Sequence, residues 1–173
     1  MKTTATSFVF VLALGSAMSV AAQMKPAPAA HAHHPEQTAP APQLDVPSAA
    51  QAPVTVVERF GQALAAGDLK AAGSFLDADV LILETGGAER SREEYLGHHA
   101  ISDAQFLKGT QSQLKQRRAR IQGDLAWVGT ESELHASKDG KALTLLSTET
   151  MVLKKTGPEW QIVHIHWSSR PKR

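Results

Sequence analysis

The 173-residue chain contains no cysteine. That absence excludes disulfide bonds, thiolate metal centres and thiol nucleophiles. A charge bias is missing too: 18 basic and 17 acidic side chains leave a formal net charge of +1. Nothing in that balance suggests nucleic acid as a partner. No apolar run approaches the ~20 residues of a membrane-spanning helix, and no internal repeat is visible. What is present is 42% hydrophobic and 20% charged residues, the balance of a globular chain long enough for one domain with a real core.

The start reads as an address. Met1-Lys-Thr-Thr carries one positive charge, Phe8–Leu14 is a short apolar run, and Val20-Ala-Ala22 offers small residues where a signal peptidase cuts. Residues 1–22 are therefore expected to be a secretory signal, leaving a periplasmic or secreted protein with no membrane attachment after cleavage. From Gln23 to Pro53 the composition shifts to Ala, Pro, Gln and His. It predicts a disordered, partly polyproline linker, because nothing in it could bury a core. Inside it, His31-Ala-His-His34 is either a polar spacer or a chelator of Cu²⁺ or Zn²⁺ needing no fold.

Folded structure is expected from Val54 to Arg170. Val57, Phe60 and Leu64 recur at helical spacing and Gly67 is placed to end that helix. Asp68 caps a second, short helix, Asp79–Glu84 reads as a buried strand, and Ser91-Arg-Glu-Glu94 is a capping box opening a third helix to about Phe106. After Gly109 the period becomes two. Turn signals at Gly123-Asp124, Lys138-Asp-Gly140 and Thr156-Gly-Pro158 divide the remainder into four long antiparallel strands. The order predicts an α+β fold with three N-terminal helices laid on the concave face of a curved antiparallel sheet.

Val56-Val-Glu-Arg-Phe-Gly-Gln-Ala-Leu-Ala-Ala-Gly-Asp-Leu69 resembles the opening helix and "GD" turn of SnoaL-like, nuclear transport factor 2-like domains. Ser147–Leu153 and Trp160–Ser168 are similar to the last hairpin of the calcium/calmodulin-dependent protein kinase II association domain. The resemblance spans about residues 54–170. It implies a cone-shaped fold and a homodimer formed through the outer sheet face. It says little about function, since such domains include isomerases, cyclases, dehydratases and binding modules. Aligned without gaps, Met151 and Trp167 stand where the kinase relatives carry carboxylate-binding arginines. That departure favours a drier pocket for a small, largely apolar molecule.

The expected lining is Glu84, Tyr95, His99, Met151 and Trp167, and His99 or Glu84 is the candidate base if the domain is an enzyme. Strict alternation in Trp160–Trp167 puts Ile162, His164 and His166 on one face and Val163, Ile165 and Trp167 on the other. The second, apolar set is expected to face the helices, leaving the histidines for solvent or a partner subunit. A competing reading assigns copper or zinc to His98, His99, His164 and His166, with His135 as a further ligand. Trp127 is expected in the core or an interface, and Lys115–Arg120 on a solvated edge.

Overall fold

The computed structural model describes residues 40–173. The expected signal and residues 23–39, with the His31–His34 cluster, lie outside the described residues. Among those described, no helix is long and apolar enough to cross a membrane. A curved seven-stranded sheet and four helices make an α+β domain: β1 (Gln43–Asp45), α1 (Gln51–Ala66), α2 (Leu69–Ser74), β2 (Leu76–Glu84), β3 (Gly87–Glu89), α3 (Arg92–Gly97), α4 (His99–Lys108), β4 (Gln111–Gln122), β5 (Leu125–Lys138), β6 (Lys141–Thr156) and β7 (Glu159–Pro171). The spatial order is β1-β4-β5-β6-β7-β2-β3. The three long hairpins are those the turn signals predict. Gly123, Asp139, Gly140 and Gly157 take the positive φ that two-residue hairpin loops require.

Local signals explain the helix ends. Gly67 closes α1 in the left-handed region at φ 75°, where a Cβ would be strained. Asp68 caps α2 by accepting from the Ala71 amide at 2.9 Å. Ser91 caps α3 by accepting from the Glu94 amide at 3.0 Å. Glu94 reaches back to the Arg90 amide at 2.7 Å, one residue before the amide that a capping box usually engages.

Three expectations need correction. The linker does not run to Pro53: Gln43–Asp45 adds a parallel strand to the β4 edge, and α1 already begins at Gln51. Asp45 anchors that strand through Arg120 and Arg118, so the basic run is a covered edge. The expected third helix is two, broken at His98, whose φ −134° and ψ −87° are not helical. Finally, Ile162 is fully buried like Ile165. Val152 pairs with His164 but Leu153 with Ile162, so Val163 is an extra residue in β7. Such a bulge resets the alternation and turns Ile162 inward.

The ladder sorts the inner face into rows. Ile121, Ala126, Leu153, Ile162 and Leu76 are cross-strand neighbours, and Ala119, Val128, Met151, Ile165 and Ile82 form the row above. Val57, Phe60 and Leu64 of α1 pack on these rows. Each large side chain buried there contributes roughly 1.5–3 kcal/mol. The cap is a smaller, local contribution. Ser91→Ala is expected to lower stability by about 1 kcal/mol, read as a lower urea midpoint at unchanged slope.

Candidate functional site

Above the two apolar rows the inner face changes character. The next cross-strand row is Arg117, Thr130, Glu149, Trp167 and Glu84, one residue from each of β4, β5, β6, β7 and β2. Beyond it stand Ser132, Ser147 and Ser169. These rows, α1 and α4 enclose a cavity of about 470 Å³. Its apolar wall includes Phe60, Leu64, Phe106, Leu107, Leu134 and Leu145, and its polar belt includes Glu58, Glu84, Asp103, Arg117 and Glu149. The size and composition are those of a small-molecule pocket.

Trp167 sits at the centre. Its ring stacks on Phe60 with centroids 6.4 Å apart and packs tilted against Tyr95 at 6.1 Å. Its indole N–H donates to Glu149 Oε2 at 2.8 Å. Burial pushes the Glu149 carboxyl above its ordinary range, and the Trp167 hydrogen bond and the Arg117 charge oppose that push. Arg117 is held by a salt bridge to Glu58 of α1, which joins the sheet to the helical layer. Thr130 is 8% exposed. Its hydroxyl lies beside Glu149, near enough to weigh on that carboxyl, yet makes no hydrogen bond of normal geometry.

Two further carboxyls, Glu84 and Asp103, line the same cavity. Glu84 ends β2, just before the Thr85-Gly86 turn with its φ of 44° and 84°. Asp103, on α4, accepts from the Tyr95 hydroxyl at 2.9 Å. Burial raises the proton affinity of both carboxyls. The charge of Asp103 adds to the rise at Glu84, whereas the Tyr95 hydrogen bond counteracts the rise at Asp103. Buried beside these carboxyls, the Tyr95 phenol is pushed far above its usual range. Two carboxyls of raised proton affinity at an apolar pocket are groups of the kind that perform acid–base work.

Of the residues expected to line the pocket, Glu84 and Trp167 do so. Tyr95 and Met151 face inward, but at 0% and 1% exposure they belong to the floor. Met151 lies in the apolar row, and Tyr95 supports the lining from behind, through Asp103 and Trp167. His99 is exposed at the start of α4, with Nδ1 against the buried Glu89 carboxylate. His98 and His166 are exposed, and His164 bonds the Leu81 carbonyl through Nδ1 at 2.8 Å. His135 Nδ1 lies 3.2 Å from the Thr144 hydroxyl. Among the described residues no three His, Asp or Glu side chains are placed to hold one metal ion.

Arg117, Glu149 and Asp103 are the site residues that sequence reasoning missed. One signal was available. Glu149 stands two residues before Met151 on the same strand, so placing Met151 inward places Glu149 inward as well.

The SnoaL-like domain family profile matches residues 54–171. Among solved structures, a provisionally named ketosteroid isomerase from Shewanella frigidimarina shares 34% identity, with 73% of this chain and 99% of that one covered at a TM-score of 0.65. A provisionally named calcium/calmodulin-dependent protein kinase II association domain from Xanthomonas campestris is 19% identical over 77% of this chain and 97% of its own, at 0.63. A provisionally named NTF2-like dehydratase from Streptomyces avermitilis is 19% identical over 69% and 95%, at 0.59. Among curated proteins, none matches significantly. The cone, its inward-facing rows and the profile spanning them agree: the chain belongs to the SnoaL-like domain family.

Proposed function

We propose that the domain binds a small, largely apolar molecule in its cone. The carrying observation is the 470 Å³ cavity with Phe60, Leu64, Leu134, Leu145 and Trp167 in its walls. A space of that size suits one ligand of a few fused or linked rings. The reading includes delivery to the periplasm by the leader ending at Ala22. The neutral fluorophore N-phenyl-1-naphthylamine is expected to bind one per chain and to quench tryptophan emission. Ser132→Phe, which fills the cavity from the serine row, should weaken that binding about tenfold or more while the thermal midpoint moves by only a few degrees. Unchanged binding by the folded variant would remove the cavity from consideration.

A second reading is proton-transfer chemistry of the isomerase or dehydratase kind. It is favoured by the raised proton affinities of Glu84 and Asp103 and by the names that two structural neighbours carry. The sign of the stability effect follows. A carboxyl whose folded pKa is raised destabilises the fold most above that pKa, and the penalty vanishes as pH falls below the ordinary carboxylate range. Glu84→Gln and Asp103→Asn are therefore expected to raise the melting temperature by about 2–4 °C near pH 8, with the gain disappearing near pH 4. A gain that is flat with pH would show that neither group is poised for proton transfer.

The same reading includes a homodimer formed through the outer sheet face. There Arg120, Trp127, Val152, His164 and Leu81 are consecutive cross-strand neighbours. Leu125, Trp127 and Leu81 leave large apolar surface exposed, Trp127 at 42%. An apolar strip across a sheet with a charged end fits a self-complementary interface. Sedimentation is expected to report a dimer, and Trp127→Glu a folded monomer.

A further inference from the structure

The cavity is unbalanced in charge. Its lining carries four carboxyls, Glu58, Glu84, Asp103 and Glu149, against one guanidinium, Arg117. Arg117 pairs with Glu58, so Glu84, Asp103 and Glu149 form no salt bridge with a lining residue; Arg117 and, from outside the cavity, His99 reach them only as more distant charges. His99, outside the cavity, is answered by Glu89. The hydrogen bonds that reach these groups are few: Tyr95 to Asp103 and Trp167 to Glu149. Thr130 adds a second kind of vacancy: it lines the cavity, is more than nine-tenths buried, and its hydroxyl, though beside Glu149, completes no hydrogen bond of normal geometry. A buried hydroxyl without a partner costs free energy that a ligand could recover. The lining is also aromatic: Phe60 and Trp167 stack, and Phe106 is a third ring.

We infer that the molecule bound in this cone is an apolar amine, held as its ammonium ion among Glu84, Asp103 and Glu149 with its hydrocarbon part on Phe60 and Trp167. This deepens the small-molecule reading above and rests on it. An ammonium group donates only, and acceptors are what the belt has in excess: three carboxyls and the free Thr130 oxygen. An aromatic wall favours the same charge, because ring faces attract cations. A carboxylate ligand meets the opposite situation. The one guanidinium already pairs with Glu58 through Nη1, which leaves its buried Nε–H unpartnered, and three like charges would oppose the arrival of a carboxylate. A neutral alcohol or ketone would gain the apolar contacts but leave the charges unanswered.

The test uses the whole chain and three probes sharing one skeleton: 4-phenylbutylammonium, 4-phenylbutan-1-ol and 4-phenylbutanoate, titrated at about pH 7.5. The cation is expected to bind roughly tenfold tighter than the alcohol, and the carboxylate more weakly than either. Glu84→Gln and Asp103→Asn are each expected to cut the ratio of ammonium to alcohol affinity about threefold; if one fails to fold, the other carries the measurement. Alcohol binding equal to or tighter than ammonium binding overturns the inference while leaving the small-molecule reading intact, and so does tightest binding by the carboxylate. Failure of all three probes to bind overturns both.

Discussion

The register of the sheet is the constraint on which the rest depends. A strand shows alternate residues to its two faces, so one slipped residue exchanges inside for outside along its whole length. Three irregularities set the phase here, one of them a register shift in β2 between Leu76 and Leu81. Lys115 is the extra residue in β4 and Val163 the extra residue in β7. With them in place, five strands present apolar residues in two successive rows and then, at one level, Arg117, Thr130, Glu149, Trp167 and Glu84. Without the Val163 bulge, keeping Trp167 inward would send Ile162 outward and leave α1 packed over a hole. A buried cavity of that kind is expensive, since lost contacts add to lost burial. The bulge therefore lets one strand serve both the core and the pocket.

Electrostatics then divides the polar row. Burying a carboxylate without compensation is unfavourable, and the fold compensates unevenly. Arg117 and Glu58 neutralise each other across the gap between sheet and helix, which ties α1 to β4. Glu149 receives an indole hydrogen bond and the more distant influence of Arg117. Glu84 and Asp103 form no salt bridge, and the Asp103 charge raises the cost of ionising Glu84. Stability left unrealised at a pocket is a common accompaniment of function. Here it sits in the polar belt, with Glu84 in the sheet row and Asp103 on α4, and the two rows beneath are apolar.

The fold was largely legible because its signals are local. Gly67, Asp68 and Ser91 act within a turn of where they stand, and each does what its chemistry predicts. The alternation after Gly109 and its three turns required no long-range information either. The departures all have tertiary causes. Gln43–Asp45 looks like tether by composition and becomes a strand because the β4 edge and its arginines accept it. The helix break at His98 lies between two segments that each read as helix. The site was half legible: Glu84 and Trp167 line the pocket, but depth within a row cannot be read from periodicity, so Met151 and Tyr95 were placed too near the ligand space. Arg117 shares a face with Ala119 and Ile121, and it was hidden because the basic residues around it read together as a solvated edge.

The layering also explains why membership in this family carries fold but not chemistry. The two lower rows and the face of α1 that fills them supply the burial on which folding depends, and their requirement is only for apolar residues of suitable volume. The row above is supported from beneath, so its residues can change sign and size at a cost bounded by local desolvation. In this chain the row carries Arg117 with Glu149 and Glu84, and Asp103 of α4 lines the same cavity, so carboxyls outnumber cations there. A likeness in backbone alone would not reveal which charges a pocket presents, because the same apolar rows can support any of them.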